Sequence, residues 1–598
     1  MIASDSLRRV LYINLSDKSF RIVDRFDLFE KYIGGAGVAV RLLNEECPKG
    51  ADPYGPDNPI VFAVGPLNGL YPLASKTVAM FKSPHTGNLG ESHAGGRSAI
   101  SIRMAGYGAI VIKGAAERPC YISITGNMVH FRDASTLWGM GKSETAGKVI
   151  RANEPSSGLR TIMRIGIAGE KMIPYSCVTT ETYRHFGRLG LGAVFGSKKL
   201  KAVVVSGKKS LPVTDMKEYE KHYELIFNKA TESPIMKKYH EIGTPVNIVP
   251  LNEAGSLPTR NLLTARFEQA GIISGENIAK QCLGKRLACA HCPVACIHIA
   301  ALREPYEDEP YFYKTSMIGY DYELIYSCGS LLGGSDISGL LELLDSMEAY
   351  GLDCMSAGVV LAWATEAFIN KLISEKETDG LRFEWGNYQT YLKAVKNIVE
   401  QPNDFYLALS KGVDYASSVY GGQDYALAFG GNEMPGYHTG PAAHIGYLAG
   451  ARHSHLDSGG YSIDKKIMVN KAITPDKVAA DIIAEERWRQ ILTSLVICFF
   501  ARELYTPDIV LEALRLSGFG LDEAAMKRIG EETHTEKFRF KVREGFSFDK
   551  LRIPKRIYQT LSGAGMIDEQ FVLAAMEAVK KEIMSKVGGQ DKTSGEVS

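Results

Sequence analysis

Three thiols at Cys289, Cys292 and Cys296, spaced Cx2Cx3C in the run LACAHCPVACIHIA, constrain this chain more than any other feature. Side chains so spaced converge on one point, and a point ringed by thiolates holds a metal ion or an iron–sulfur cluster. A single cysteine carries no such meaning, because free Cys behaves as a small core hydrophobe. Here four of the ten cysteines, Cys282 included, fall within fifteen residues. No His pair follows at zinc-finger spacing, so the pattern favours a cluster, with zinc as the alternative. A [4Fe–4S] cluster takes four thiolates. The fourth is either Cys282, seven residues upstream, or something remote, and spacing does not choose between them. The order is also the reverse of the Cx3Cx2C run of radical enzymes that use S-adenosylmethionine, which sets that class aside.

A chain of 598 residues is too long for one small core and suggests about three to four domain-sized units. Basic and acidic residues nearly cancel, 69 against 68, which gives no charge argument for nucleic acid or an anionic membrane. No N-terminal apolar run follows a basic start, and no stretch approaches eighteen uncharged apolar residues. A cytoplasmic protein without membrane insertion is expected. Thiols that stay free for a cluster suit a reducing compartment.

Short β-type runs fill the N-terminal third: Val10 to Asn14 and Phe20 to Val23 as a hairpin, then 58–64, Thr77 to Phe81, Ala109 to Lys113, and Cys120 to Phe131 folded at Gly126-Asn127. Glycines punctuate this region at 34–37, 95–96 and 187–192. Beside basic residues they read either as backbone that approaches a phosphate or pterin or as tight turns. Neither Gly34 to Gly37 nor Gly190 to Gly196 gives GxGxxG after an apolar strand, so a dinucleotide fold is not supported. Beyond Val203 to Val205 the periodicity turns helical. Leu340, Leu343, Leu344 and Met347 fall on one helical face, with Asp336 placed to cap the start and Gly351 the end, and Met355 to Leu372 reads as a second apolar helix. The expected fold class is α+β: a β-rich N-terminal domain over 1–208, a helical domain with the Cys triplet over 209–400, a helical C-terminal domain over 401–587, and a disordered tail at 588–598.

Several motifs in the same order carry a family resemblance: YIGGAG from Tyr32, FKSPHTG from Phe81, HAGG from His93, AGYGAIVIKG from Ala105, GRLGLGAVFGSKKLKA from Gly187, RFEWGN from Arg382, and the Cys triplet. From about Val10 to beyond Cys498 the chain resembles the aldehyde ferredoxin oxidoreductase family. The resemblance implies tungsten, or molybdenum, on a bis-molybdopterin cofactor, one [4Fe–4S] cluster, and magnesium between the pterin phosphates. It implies that Cys498 is the fourth cluster ligand and Cys282 a bystander. The family's DxxGLD and DxxGLC pterin motifs correspond to Glu348 through Asp353, with Gly351 and Leu352, and to Thr493 through Cys498, with Ile497. In the second, Thr493 replaces the acid and Val496 the glycine, which puts a charged pterin contact in doubt. Further cofactor contacts are implied at Lys76, His93, Ala94, Gly95, Gly96, Arg184, His185 and Arg188.

For the chemistry, the resemblance points to Glu323 as the carboxylate and His455 as the imidazole beside the metal. From the residues alone Glu323 is an ordinary acid, and His455 competes with His438, His444 and His453 in one Gly/His-rich region. A carboxylate poised near the operating pH suits a proton step, and an imidazole can donate to a carbonyl oxygen. The implied reaction is oxidation of an aldehyde to a carboxylic acid, or its reverse, with ferredoxin or a small iron–sulfur subunit as electron partner. A low-potential reductase of an aromatic acyl thioester and a non-catalytic iron–sulfur electron-transfer subunit are the alternatives. The family's ExxH pair for a subunit-bridging metal is Glu342 to Asp345 here, so a bridging metal of that kind is not expected, while homo- or hetero-oligomers stay open. Cys328, five residues after Glu323, reads as a core thiol or as an extra ligand near the metal.

Overall fold

The computed structural model describes residues 2, 4–154, 158–181, 183–306, 308–469 and 473–588. β1 (Arg9–Asn14) and β2 (Ser19–Asp24) form the expected antiparallel hairpin. With β3 (Ile60–Ala63), β4 (Thr77–Lys82), β5 (Leu89–Ala94) and β6 (Ala109–Lys113) they make a six-stranded sheet in the order β2-β1-β6-β3-β4-β5. The IVFA of β3 and TVAMFK of β4 are buried at every position, which continuous apolar runs produce when both faces of a sheet are covered. β7 (Cys120–Thr125) and β8 (Met128–Asp133) turn back at Gly126-Asn127. They join β9 (Leu159–Arg164), β10 (Val178–Thr179), β11 (His185–Phe186) and β12 (Leu200–Gly207) in a second six-stranded sheet, order β11-β10-β9-β12-β7-β8.

Beyond Gly207 helices dominate, as expected of an α+β chain, with one correction. β13 (Leu283–Leu287), β14 (Ile297–Pro305) and β15 (Tyr313–Tyr320) form a three-stranded antiparallel sheet in a stretch expected to be helical, and the Cys triplet is the β13–β14 connection. β14 pairs its backbone with a neighbour on either side, and this tertiary pairing overrides the helix preference of its Ala-Ala-Leu.

The helices that bear on function are α1 (Gly35–Glu46), α2 (Pro234–Glu241), α3 (Gly275–Cys282), α4 (Tyr322–Cys328), α5 (Ile337–Tyr350), α6 (Cys354–Ile369), α7 (His455–Ser458), α8 (Pro475–Ser494), α9 (Glu523–Arg543) and α10 (Glu569–Gly588). α5 starts where the Asp336 carboxylate accepts from the Ser338 and Gly339 N–H groups and stops at Gly351, whose φ of 77° only glycine adopts cheaply. One hydrophobic core includes residues from Leu7 to Ile583, and α1 packs on β3 and β4 on one side and on α8 and α9 on the other. Glycine is required in α1 by close approach: a Cβ on Gly35 would lie 2.2 Å from the Thr493 carbonyl oxygen. Gly588 ends α10, and the expected tail beyond it lies outside the described residues.

Candidate functional site

Two segments about two hundred residues apart meet at the cysteines. Leu73 stitches them, donating its N–H to the His291 carbonyl (3.1 Å) and accepting from the Cys498 N–H (2.9 Å). Lys76 N–H donates to Val496 O at 3.1 Å, and Ala290 N–H to Gly96 O at 2.9 Å. His291 and Ala295, each just before a cysteine, take φ of 56° and 50°, and these left-handed residues wind the loop tightly between its thiols. Burial first, and then the Cys289, Cys296 and Cys498 sulfurs beside it, push the Cys292 thiol up to about 12. Burial likewise raises Cys296 to about 11, with the Arg184 guanidinium, 4.0 Å from its sulfur, working the other way. At Cys289 burial is outweighed by Arg184 and Lys76, and its pKa falls. Cys282, at the end of α3, is shifted by burial alone. Among the described residues no three His, Cys, Asp or Glu side chains are spaced for one metal ion. Four thiols at one corner are a donor set of the kind a thiolate-held iron–sulfur cluster takes.

A cavity of about 280 Å³ lies against this corner. Its wall brings together Lys76, His93, Gly95, Arg184, His185, Arg188, Glu348, Leu352 and Asp353 with Glu323 and His455. A single backbone separates cavity from cysteines: a Cβ on Gly95 would stand 2.8 Å from Cys289 Sγ and 3.5 Å from Lys76 Nζ. Ala94, Gly96, Gly351, Thr493 and Ile497 are not in the lining. Gly351 instead holds the 175–177 segment, accepting from Cys177 N–H (2.9 Å), and Asp353 N–H donates to Tyr175 O beside it (3.0 Å). The Thr493 hydroxyl is used within α8, donating to the Arg489 carbonyl at 2.9 Å. Val496, at the family's glycine position, keeps the left-handed conformation with φ of 56° although it is β-branched and fully buried.

Glu323 stands in the first turn of α4, whose start is capped by the Asp321 side chain, and His455 opens α7, which a Ser454–Asp457 capping box holds. His455 Nε2 lies 3.4 Å from Glu323 Oε1, while Glu323 Oε2 accepts from the Gly436 N–H at 3.1 Å. Burial pushes the Glu323 carboxyl up to about 8 and pulls the His455 imidazole down to about 3. At neutral pH the pair is therefore a carboxylic acid beside a neutral ring. His455 Nδ1 is buried with no hydrogen-bond partner. The competing histidines are taken: His453 contacts Tyr447 O and Lys541 Nζ, and His438 pairs with His444 at 2.9 Å in the core. Cys328 is fully buried against Met347 Sδ (3.8 Å), its thiol pushed up to about 12 by burial, which makes it a core thiol.

Polar residues that the sequence did not single out complete the wall. Glu91, Arg452 and Asn432 line the cavity, as do Cys177 and Cys354, the latter directly after Asp353. Arg188 Nε lies 3.1 Å from Asp353 Oδ2, and its Nη2 donates to Glu433 O at 2.9 Å. The Glu433 carboxylate accepts from Ser356 Oγ (2.7 Å) and meets His85 Nε2 (2.9 Å). Although burial works against its charge, His85 and Arg188 hold it down to about 2. Glu348 and His185 pair across the wall at 2.5 Å. The donor set of the corner, the missing Cβ at Gly95, the orphaned His455 nitrogen and the cations Lys76, Arg184, Arg188 and Arg452 in the wall fit a redox cluster beside a phosphate-bearing cofactor.

Two sheets and a helical half closed over a cavity lined by charges of both signs, with a four-thiol corner behind it, define a scaffold for a redox cofactor. Family models place it: residues 10–207 match the aldehyde ferredoxin oxidoreductase N-terminal domain and 221–586 match domains 2 and 3 of the same enzymes. The chain belongs to the aldehyde ferredoxin oxidoreductase family, and is an oxidoreductase of that type. It is 30% identical over 573 residues to the tungsten-containing aldehyde ferredoxin oxidoreductase of Thermococcus kodakarensis, covering 92% of this chain and 91% of the relative. A Pyrococcus furiosus aliphatic sulfonate oxidoreductase, WOR-like subunit, is 30% identical over 63% of this chain and 61% of its own. Among solved structures, the active site complex BamBC of benzoyl coenzyme A reductase in complex with 1,5-dienoyl-CoA matches with a TM-score of 0.77 and 21% identity, over 97% of this chain and 98% of that one. Membership implies a tungsten- or molybdenum-pterin cofactor. No helix among the described residues is long and apolar enough to cross a membrane.

Proposed function

We propose that this chain oxidises an aldehyde to a carboxylic acid, or runs the reverse, with a tungsten-bis-pterin cofactor and one [4Fe–4S] cluster. Cys289, Cys292, Cys296 and Cys498 would hold the cluster. Lys76, Arg184, His185, Arg188 and Glu348 would hold the pterins, with magnesium between their phosphates. When bound, these groups supply the electron chemistry. The observation that carries the reading is the Glu323–His455 pair, two titratable groups 3.4 Å apart whose pKa values are driven toward opposite ends of the scale.

The balance RCHO + H2O → RCOOH + 2H⁺ + 2e⁻ asks the protein to orient the carbonyl and accept a proton. His455, neutral across the physiological range, is placed to donate a ring N–H to the carbonyl oxygen without carrying charge into the site. Glu323 in its ionised form takes the proton from the attacking water, and in its protonated form returns one when the reaction runs backwards. The Gly436 N–H holds the carboxyl in place for both. Electrons leave toward a ferredoxin-type acceptor.

The overall likeness to the benzoyl coenzyme A reductase complex supports a second reading, low-potential reduction of an aromatic acyl thioester. The sulfonate relative adds alkyl sulfonates to the substrates worth offering. Anaerobically purified protein is to be assayed for tungsten, molybdenum, iron, zinc and acid-labile sulfide, then offered aldehydes, aryl thioesters and sulfonates with a viologen. About one tungsten and four irons per chain with aldehyde-dependent viologen reduction is expected. Activity with thioester alone selects the second reading, iron and sulfide without tungsten or molybdenum point to an electron-transfer subunit, and zinc alone removes the cluster.

A further inference from the structure

We propose that a second cavity, separate from the cofactor cavity, binds a phosphate group whose molecule also carries an O–H: inorganic hydrogen phosphate or a small hydroxylated phosphomonoester. This cavity of about 330 Å³ lies between β9, the helix Ser143–Asn153 and the Asp345–Ala349 side of α5. The two linings share only Glu348, which meets His185 Nε2 (2.5 Å) on the cofactor side. The proposal stands apart from the reading of the first cavity.

Arg164 carries the argument. It is only 6% exposed, and among the described residues no carboxylate lies within 4.0 Å of its guanidinium. Burial pulls its pKa down, against the more distant Glu348, Glu181 and Glu144. Its one side-chain hydrogen bond among the described residues runs from Nε to the Ser143 carbonyl (2.8 Å), which leaves both Nη groups to the cavity. The fold makes room for this side chain: a Cβ on Gly147 would lie 2.7 Å from Arg164 Nε, so the helix Ser143–Asn153 keeps a glycine in its interior despite the cost to helix stability. A buried cation without a counter-ion is unfavourable, and one facing a cavity calls for an anion from outside the chain. The other lysines and acids of the wall cancel in pairs, Lys142 with Asp345 (3.6 Å) and Lys148 with Glu144 (2.9 Å). Arg151, exposed at the rim, adds a second guanidinium with no carboxylate within 4.0 Å among the described residues.

Two oxygens complete the site. Thr180 is 1% exposed, and its Oγ1 has no hydrogen-bond partner. Glu181 Oε2 accepts from the Thr161 hydroxyl and the Ile162 N–H (both 3.0 Å), while its Oε1 is buried without a partner. Two free guanidinium groups suit a dianion, and a free carboxylate oxygen accepts only from a ligand that brings a hydrogen. Sulfate and a plain carboxylate bring none near neutral pH. Hydrogen phosphate does, and so does the alcohol of a glycerol-type phosphate.

Thermal melts and calorimetry of the full-length protein test this with sodium phosphate, glycerol 3-phosphate, sulfate and acetate at one ionic strength, in fractions of measured pterin content. Phosphate or glycerol 3-phosphate should bind and raise the Tm, with sulfate at least about 10-fold weaker because it leaves Glu181 Oε1 unpaired. The tighter of the two tells free phosphate from a phosphomonoester. Arg164→Met should be at least as stable as the parent in phosphate-free buffer, since it removes a cation that has no counter-ion, and should weaken phosphate by at least about 10-fold. Arg151→Gln, an exposed change, should weaken phosphate several-fold. Glu181→Gln puts an amide donor beside the anion and should erase the preference for phosphate over sulfate. Equal binding of phosphate and sulfate by the unaltered protein, or an unchanged phosphate response in Arg164→Met, overturns the proposal. If Arg164→Met fails to fold, full phosphate affinity in Arg151→Gln with an unchanged preference in Glu181→Gln does the same. Binding that falls as pterin content rises also overturns it, by giving the anion to the cofactor's own phosphate. A protein without pterin would defeat the function proposed above and leave the phosphate-over-sulfate test intact.

Discussion

Glu91 and Glu323 face the same cavity and have opposite electrostatic fates. Glu91 is the more deeply enclosed, its side chain fully buried against 15% exposure at Glu323, and burial alone would make it the protonated one. It is instead held well below the usual carboxylate range, because Lys537 (2.5 Å), Arg452 (3.8 Å) and His93 (2.7 Å) surround it and outweigh desolvation. Glu323 has a backbone N–H, the His455 ring and only the more distant Arg188 as its cation, and its carboxyl rises to about 8. Burial sets the cost of a charge, and the nearest cations decide whether the charge is kept. One wall is thus a fixed charge array, and the other is poised to exchange protons.

Four experiments break or sharpen that contrast. Glu323→Gln should lower kcat by about 10²- to 10⁴-fold in the loaded enzyme, the range lost with a positioned acid–base group, while iron content and thermal stability hold. Lys537→Met should destabilise the fold by about 3–5 kcal/mol in urea melts, since it strands the Glu91 charge, and adding Glu91→Gln should recover part of the loss.

The pH profile separates the two walls next. Between the ordinary carboxyl value of 4.5 and about 8, the folded chain binds more protons at Glu323 than the unfolded chain does. The stability contribution of Glu323 is therefore present at low pH and lost as pH rises through about 8. At His455 the unfolded chain binds more protons between about 3 and 6.5, so stability rises with pH across that window. Glu91 contributes stability above 4.5 that is lost as pH falls through its lowered value. Aldehyde oxidation should rise to a plateau above about 8, acid reduction should fall there, and Glu323→Gln should flatten the residual rate of both. Smallest of all, Val496→Gly trades about 1.5–3 kcal/mol of buried apolar contact against about 1–3 kcal/mol of left-handed strain. Its stability should stay within about 1 kcal/mol of the parent in the same urea melts.

Much of this could be read in advance because its causes are local. The β1–β2 hairpin, the turn at Gly126-Asn127, the Asp336 and Gly351 caps of α5 and the apolar α6 all follow from side chains within a few residues of each other. The three-stranded sheet around the cysteines was missed, because a strand pairs with distant backbone that periodicity does not see. Of the residues that the family resemblance implied, the cavity gathers Lys76, Arg188 and Glu348 but uses the Thr493 hydroxyl within α8. Glu91, Arg452 and Lys537 carried no motif, since their partnership spans β5, the loop before α7, and α9.

By itself the sequence determined the α5 and α6 helices, the two N-terminal hairpins and the Cys triplet, because propensity, capping and a Cx2Cx3C spacing act over a few bonds. Only the tertiary structure decided which of four histidines faces the cavity, that Cys328 is a core thiol, and which buried carboxylates keep their charge. Each of those depends on solvent exclusion and on distances between residues far apart in the chain, and electrostatic energy inside a protein is set by such distances rather than by sequence neighbours.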